Sequence, residues 1–294
     1  MLRQLLSRAR APAARDVLLS PPERVDQEDY ERRFFSSVRL SNGTLKLTAA
    51  GRLDDVNAMI APHLSRGKPL QAMDIGVSSG ITTLEWLADL ERAGLQVHMV
   101  ATDLTAHALL WSLGGVAHVF TEESGYPLQY EAFGLVFRHP ARRHEKLLFF
   151  MPATLAATLF RGAARRQSHR SSRRGLVSCR RVAFVSPRLM RASLELIDDN
   201  VLLPWADARK FDVVRVSNVL NPAYFTAAQL RLALASLRAR VAPGGLMILS
   251  RTHGREDADG NHATLFRADR RGEFTVVDRL RGGSELEHLL LESG

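Results

Sequence analysis

The sequence predicts an α/β fold built on a doubly wound, mostly parallel sheet. From residue 68 onward, short apolar runs rich in β-branched residues alternate with amphipathic helical patterns. This alternation is typical of parallel strands joined by crossover helices. The first apolar run ends at Asp74 and passes through the small-residue turn "GVSSG" directly into a helical pattern. Near the C-terminus, two runs joined by "RGGS" indicate an antiparallel pair that closes the sheet.

The elements follow from the spacing of their apolar residues. Strands are predicted at "LQAMDIG", "QVHMVATD", "FDVVRVSNVL", "GGLMILSRTH", "EFTVVDRL" and "ELEHLLLE". Helices are predicted at "ITTLEWLADLERAG", "TAHALLWSLGG" and "TAAQLRLALASLRARV". In the second of these helices, Thr105 is the expected N-cap, and Gly114 with Gly115 is expected to end it.

One large domain with an extension and an insertion accommodates these elements. Residues 68–293 form the predicted sheet domain, and the segment at about 115–185 interrupts it between the second helix and the third strand. Residues 1–67 precede the sheet as an N-terminal lid or extension of helices and a hairpin, whose turn is expected at Asn42-Gly43.

The composition is that of a globular protein, with 46% hydrophobic and 24% charged residues. The single cysteine, Cys179, excludes an internal disulfide and a cysteine-based metal cluster, and we expect no metal site. The Arg-rich start "MLRQLLSRARAPAAR" lacks the apolar core of a secretory signal. It suits a surface helix or an organellar presequence, and a cytoplasmic location is the expectation.

The basic charge is concentrated in the insertion. The chain has a net charge of +9, whereas residues 126–191 alone carry 14 Lys and Arg against two Glu. The apolar stretch 147–160 is shorter than the ~20 residues that span a bilayer. It is interpreted as a lid helix, with an interfacial membrane helix as the alternative. The arginine-rich run 161–175 is interpreted as a solvated loop, with nucleic-acid binding as the alternative.

Polar residues follow the predicted strands where ligands bind in doubly wound sheets, beyond the carboxyl ends. Gly76 and Gly80 lack the spacing of the dinucleotide motif G-x-G-x-x-G, which disfavours a diphosphate cradle and NAD. Asp103 ends the second strand, where a carboxylate can accept hydrogen bonds from vicinal ribose hydroxyls or cap the next helix. Asp199 and Asn218 fall at the later strand ends.

This series resembles the class I S-adenosylmethionine-dependent methyltransferases. Their first motif, acidic-x-Gly-x-Gly-x-Gly, is similar to "DIGVSSG", with Ser78 in place of the middle glycine. "DNVLLPWADARKFDVVRVSNVL" and "LRARVAPGGLMILS" resemble the family's later motifs. The resemblance covers roughly residues 68–293 and implies a seven-stranded Rossmann-like sheet that binds S-adenosyl-L-methionine, with a closing antiparallel strand.

The resemblance also implies which residues surround that cofactor. The methionine moiety would lie at the first turn, the ribose at the second strand end, and the adenine at Asp198 or Asp199. The implied cofactor-binding residues are Asp74, Gly76, Val77, Ser78, Ser79, Gly80, Asp103, Leu104, Asp198, Asp199, Asn200 and Asn218. Asp198 can equally be a solvated neighbour, and Asn218 can be a strand cap.

The expected reaction is methyl transfer to a small or medium-sized acceptor. Candidate catalytic residues are Asn218, Tyr224 of "NPAY" and His253 of "SRTHG", whereas His262 lies in the polar stretch "DGNHAT". A loop histidine can also be an ordinary surface residue. The alternatives are a lyase, cyclase or other transferase that releases methylthioadenosine, and an RNA-binding methyltransferase. The expected partner is a small molecule.

Overall fold

The computed structural model describes residues 12–19, 27–46, 48–138, 177–253 and 260–292. The chain divides into two units. We call Thr48–Ala106 with Leu189–Gly294 the sheet unit, and Met1–Leu47 with His107–Arg188 the inserted unit. The predicted boundaries differ from these, because residues 48–67 belong with the sheet unit and the inserted unit begins at His107.

The strands are, in chain order, β1 (Leu70–Ile75), β2 (Val97–Asp103), β3 (His107–Leu113), β4 (Ala117–Thr121), β5 (Pro127–Ala132), β6 (Leu135–Arg138), β7 (Val177–Ala183), β8 (Leu194–Asp198), β9 (Phe211–Ser217), β10 (Val241–His253), β11 (Gly260–Ala268) and β12 (Phe274–Leu280). The α-helices are α1 (Ala14–Leu18), α2 (Gln27–Phe35), α3 (Asp54–Ile60), α4 (Ile81–Arg92), α5 (Ala227–Arg238) and α6 (Glu287–Leu291).

The sheet unit contains a seven-stranded sheet in the order β12-β11-β10-β9-β1-β2-β8. The five strands from β10 to β8 are parallel, whereas β11 and β12 run antiparallel to their neighbours. Two antiparallel strands, β11 and β12, therefore close the sheet. Helix α4 crosses from β1 to β2, and α5 crosses from β9 to β10, as the sequence predicted.

The closing pair differs from its prediction. The partner of β12 is β11, and "ELEHLLLE", which was predicted as the last strand, contains helix α6. Leu286, Leu289 and Leu290 have the i, i+3, i+4 spacing of a helix and are buried in the core that α5 also covers. The strand prediction was wrong because these leucines pack on a neighbouring helix face.

Helices cover both faces of the sheet. On one face α3 and α4 bury Val56, Ile60 and Trp86 against the strands. On the other face α5 buries its apolar stripe, which includes Leu230 and Leu234. Helix α5 begins with a capping box, in which the Thr226 side chain accepts from the Gln229 backbone N–H and the Gln229 side chain accepts in return.

The predicted helix at "TAHALLWSLGG" is strand β3. Ala108 and Leu110 are buried, whereas Leu109 and Trp111 are half-buried, which is the two-residue period of a strand. Strand β3 pairs with β4 on one side and β7 on the other. Alanine and leucine have high helix propensities, but propensity is a weak determinant that tertiary contacts override, so this pairing on both sides decides the conformation.

The inserted unit contains a five-stranded antiparallel sheet in the order β6-β5-β4-β3-β7. Its core includes Phe34 and Phe35 from α2 with Phe120 from β4 and Phe184, which follows β7. Residues 147–160 and 161–175 lie outside the described residues. Within the described ranges, no helix is both long enough and apolar enough to cross a bilayer.

Candidate functional site

The turn that connects β1 to α4, residues 76–80, is anchored to the end of β2. The backbone N–H groups of Gly76 and Val77 both donate to the Thr102 carbonyl, at 2.7 and 3.0 Å. Gly76, Ser78 and Gly80 have positive φ angles of 74°, 56° and 83°. Ser78 therefore adopts, with a side chain, the left-handed conformation that glycine adopts without steric cost.

The two glycines of this turn lie against protein side chains. A Cβ on Gly76 would come within 2.2 Å of Cγ2 of Val219, and one on Gly80 within 2.4 Å of Cδ2 of Leu189. Val219 follows Asn218, so the turn packs closely against the chain just beyond β9. A larger residue at either position would force a neighbouring side chain to move, and the positive φ angle would add backbone strain.

The Asp103 carboxylate is held beside this turn by two backbone donors. The Ser78 N–H donates to Oδ2 at 2.8 Å, and the Thr105 N–H donates to Oδ1 at 3.0 Å. Thr105 was predicted as the cap of a helix, and it is instead a donor to Asp103. An ionised carboxylate can accept about four hydrogen bonds, so these two backbone donors do not by themselves use all of its acceptor sites.

Two further groups at this position suit a ligand. The Ser79 hydroxyl oxygen is buried and has no hydrogen-bond partner among the described residues. A buried polar atom without a partner costs free energy, which a ligand or water at the site can recover. Leu104, which follows Asp103, is 58% exposed and offers an apolar surface at the strand end.

Asp74 has a structural role beneath the turn. Its carboxylate oxygens accept from Nε and Nη2 of Arg215 at 2.9 and 2.7 Å, and Oδ2 also accepts from Thr83 at 2.6 Å. Arg215 is fully buried, donates to Asn57 at 2.6 Å and stacks on the Trp86 ring at 4.5 Å. Because Asp74 neutralises this buried guanidinium, its carboxylate is directed to the interior of the sheet unit.

The two aspartates after β8 have different surroundings. Asp199 forms an ion pair with the fully buried Arg240, and its backbone N–H donates to the Asp103 carbonyl at 2.9 Å. Asp198 is the register partner of Asp103 in the β2–β8 pair, so the two side chains lie on the same face. Asn200 accepts the Leu202 N–H at 3.0 Å in a local turn.

Asn218 joins the ends of β9 and β10. Its Oδ1 accepts the Thr252 N–H at 2.8 Å, and its Nδ2 donates to the Thr252 hydroxyl at 3.2 Å. Asn218 also has a positive φ of 60°. Tyr224 lies in the turn that follows, and its side chain is 75% exposed. The structure therefore places Asn218 at the strand ends and Tyr224 on the surface.

A polar network supports these strand ends. The Thr252 hydroxyl donates to Asn261 at 2.6 Å, and Asn261 donates to Asp55 at 2.6 Å. Arg281 donates to the other oxygen of Asp55 at 2.6 Å. Burial by itself would raise the pKa of Asp55, but the hydrogen bonds from Arg281 and Asn261 outweigh it and lower the pKa below its ordinary value.

Replacing Asp55 with asparagine is expected to lower the free energy of unfolding at pH 7 by roughly 1–3 kcal/mol, the range for charge-assisted hydrogen bonds. Because the pKa of Asp55 is lower in the folded state, its ionised carboxylate stabilises the protein at pH values above the unfolded-state pKa of ~3.9. This stabilisation is lost as the pH falls through the folded-state pKa. Urea unfolding at pH 7 and pH 3 measures this, and the difference between the variant and the wild type should shrink at pH 3. Asp54→Asn, at the exposed neighbouring position, is the control. A difference that is the same at both pH values would contradict this assignment.

His253 ends β10, and His262 lies in β11. The prediction that His262 belongs to a polar loop was wrong, because β10 and β11 pair in register from Leu246 to His253. The two imidazole rings have centroids 4.7 Å apart and planes inclined at 71°. His253 therefore has a histidine neighbour at the sheet edge where Asn218 also lies.

Sequence reasoning missed the two buried arginines, Arg215 and Arg240. Arg215 forms an ion pair with Asp74, and Arg240 forms one with Asp199. The resemblance had assigned both aspartates to cofactor binding. Arg215 interrupts the apolar run "FDVVRVSNVL", and a charge inside a buried strand requires a partner. This signal was present in the sequence and pointed to an acidic neighbour on an adjacent strand.

The solved structures that resemble this chain have low sequence identity to it and low TM-scores. No protein-family model and no curated protein matches the chain. Similar solved structures include the glycopeptide N-methyltransferase MtfA complexed with S-adenosyl-L-methionine, with 17% identity over 80% of this chain and 68% of that chain and a TM-score of 0.32. CalS10, an amino pentose methyltransferase from Micromonospora echinaspora, has 15% identity over 85% of this chain and 71% of that chain, with a TM-score of 0.32.

A third similar structure, the citrinin polyketide synthase CMeT domain, has 14% identity over 65% of this chain and a TM-score of 0.30. This chain covers 31% of that one, about a third of its length. MtfA and CalS10 are both described with S-adenosyl-L-methionine bound. At these TM-scores the comparisons assign neither fold nor activity to this chain.

Proposed function

We propose that this chain is an S-adenosylmethionine-dependent methyltransferase that acts on a small or medium-sized acceptor. The observation that carries the proposal is the oriented carboxylate of Asp103. Two backbone N–H groups, from Ser78 and Thr105, hold it where the turn 76–80 meets the end of β2. An acceptor-only group in this position suits the two vicinal hydroxyls of a ribose.

The nucleoside end of the cofactor is assigned to Asp103, Leu104 and Asp198. Leu104 supplies an exposed apolar surface for the adenine. Of the two candidate adenine acceptors, Asp198 is chosen because it is the register partner of Asp103, whereas Asp199 neutralises Arg240. A carboxylate that balances a buried guanidinium has less capacity to accept from a ligand.

The methionine end is assigned to the turn 76–80. The Ser79 hydroxyl, which has no partner among the described residues, can bond to the carboxylate or the amine of that moiety. Gly76, Val77, Ser78 and Gly80 supply the backbone around it. Asp74 is not assigned a direct contact, because Arg215 and Thr83 engage both of its oxygens.

When bound, the cofactor supplies a methyl group activated by a sulfonium. The task of the protein is to align the acceptor with that methyl group and to exclude water. The Asn218–Thr252 bonds fix the ends of β9 and β10, where the acceptor would approach. His253 lies one residue beyond Thr252 and is the candidate base for an acceptor that arrives protonated. Tyr224, on the exposed turn after β9, is a candidate contact for that acceptor.

The protein is expected to bind S-adenosylmethionine and S-adenosylhomocysteine but not NAD, because the turn lacks the diphosphate spacing. Calorimetric titration with the three ligands at equal concentration measures this. NAD serves as the control for general affinity toward adenosine. Absence of heat with both sulfur ligands, or equal affinity for NAD, would contradict the proposed cofactor.

The product that accumulates tests methyl transfer itself. Attack on the methyl carbon yields S-adenosylhomocysteine, whereas displacement at the methionine γ-carbon yields methylthioadenosine. Incubation of the protein with S-adenosylmethionine alone should give no methylthioadenosine above the uncatalysed background. Rapid, stoichiometric methylthioadenosine would refute the methyltransferase proposal while leaving the assignment of the cofactor intact.

A further inference from the structure

The histidines at the β10–β11 end form an isolated pair on one face of the sheet. Strand register places His262 opposite Arg251 and Gly260 opposite His253. The two histidines are therefore diagonal neighbours on the same face, a distance that long and aromatic side chains bridge. Their ring centroids are 4.7 Å apart.

Neither imidazole has a hydrogen bond or an ion pair with another residue in the part of the chain that the structure describes. Two described arginines near the pair are balanced by carboxylates. Arg251 forms an ion pair with Glu285, and Arg281 forms one with Asp55 at 2.6 Å. Among the described residues, the ring nitrogens thus have no partner that would compete with a ligand, and the charges of Arg251 and Arg281 are neutralised.

The separation of the rings suits two ligands of one metal ion. With a metal–nitrogen distance of ~2.1 Å, each ring centre lies about 3.2 Å from the ion, and two ligands at right or tetrahedral angles have centres roughly 4.5–5.2 Å apart. The observed 4.7 Å falls in this range. Rotation about χ2, a broad torsion in histidine, can direct one nitrogen of each ring to a shared point without moving the backbone.

We propose that His253 and His262 bind a divalent transition-metal ion. No group of three or more His, Cys, Asp or Glu arranged for a metal occurs among the described residues. The site therefore has two histidine ligands, and the remaining coordination positions of the metal are available to water or to an oxygen of a bound molecule. Neutral imidazole is a good ligand for Cu²⁺, Ni²⁺ and Zn²⁺, and Cu²⁺ should bind most tightly of the three.

This inference does not depend on the proposed methyltransferase function. It also gives His253 a role other than that of a base, because a nitrogen that holds a metal cannot accept a proton. The sequence predicted no metal site, because it has a single cysteine and no zinc signature.

The test uses untagged full-length protein that has been stripped with a chelator. Calorimetric titrations with Cu²⁺, Ni²⁺ and Zn²⁺ at pH 7.5 should show one ion per chain. His253→Gln and His262→Gln should each weaken binding by ~100-fold or more, because loss of one ligand removes the gain from two-point attachment. Nitrogen couplings in the Cu²⁺ electron paramagnetic resonance spectrum should indicate two imidazoles in the wild type and one in each variant.

His98→Gln, at an exposed position on β2, is the matched control and should bind metal like the wild type. Thermal unfolding without metal should give the same midpoint for all variants, and added Zn²⁺ should raise it only in the wild type and the control. Two results would overturn the proposal. One is wild-type affinity in the His253→Gln/His262→Gln double variant, and the other is a wild-type affinity no greater than that of a single exposed histidine.

Discussion

Replacing Arg215 with methionine is expected to lower the free energy of unfolding by about 3–5 kcal/mol, the cost of leaving a buried charge without its partner. Arg215 is fully buried, and Asp74 is nearly so. Methionine fills much of the volume of arginine but leaves the carboxylate of Asp74 with Thr83 as its remaining partner. Urea unfolding, with the slope checked for constancy, measures the loss.

The control is the double variant Asp74→Asn/Arg215→Met. It removes both charges, and the introduced asparagine side chain can still accept from Thr83, so much of the lost stability should return. A double-mutant cycle with the two single variants isolates the interaction between the residues. The structural role of Asp74 would be contradicted if Arg215→Met changed stability by less than about 1 kcal/mol, the typical effect of an ordinary substitution.

Parallel strands and their crossover helices were predictable because their patterns are local. β1, β2, β9 and β10 are short apolar runs that end in polar residues, and α4 and α5 have a helical spacing of apolar side chains. Such a strand is buried on both faces, so its sequence is a nearly continuous apolar run that can be recognised without knowing which strands lie beside it. These elements place the turn 76–80 and Asp103 at one edge of the sheet.

Elements whose conformation depends on distant partners were not predictable. Strand β3 consists largely of residues with high helix propensity, and pairing with β4 and β7 overrides that preference. β7 begins more than 60 residues after β3 ends, so no short window of sequence contains the decisive contacts. The opposite error occurred at α6, where leucines at helical spacing follow a glycine-rich turn that suggested a hairpin.

At the candidate site, the sequence indicated which residues lie at the strand ends but not which partner each carboxylate has. Asp103 and Asp199 both follow parallel strands. One is held by backbone N–H groups, whereas the other balances Arg240, a residue 41 positions later. Such pairings depend on the order of strands in space. The distinction between a ligand-binding and a structural aspartate therefore requires the fold.

Replacing Asp103 with alanine is expected to weaken S-adenosylmethionine binding about 5- to 150-fold, equivalent to roughly 1–3 kcal/mol for lost hydrogen bonds to a charged group. Isothermal titration measures the affinity. The matched control is Asp212→Ala, which removes an equal charge at the other end of β9, where Asp212 accepts from Lys68 at 2.8 Å. This control should bind the cofactor like the wild type.

The alanine substitution also removes the acceptor for the Ser78 and Thr105 N–H groups, so weaker binding alone does not distinguish a ribose contact from a loosened turn. A ligand lacking one ribose hydroxyl resolves this. If Asp103 accepts from that hydroxyl, the wild type should prefer S-adenosylhomocysteine over its 2′-deoxy or 3′-deoxy analogue, and Asp103→Ala should bind both ligands equally. The contrary result is a loss of affinity on removing the hydroxyl that is the same in the wild type and the variant. Changes that do not interact are additive, so this result would mean that Asp103 acts only through the turn.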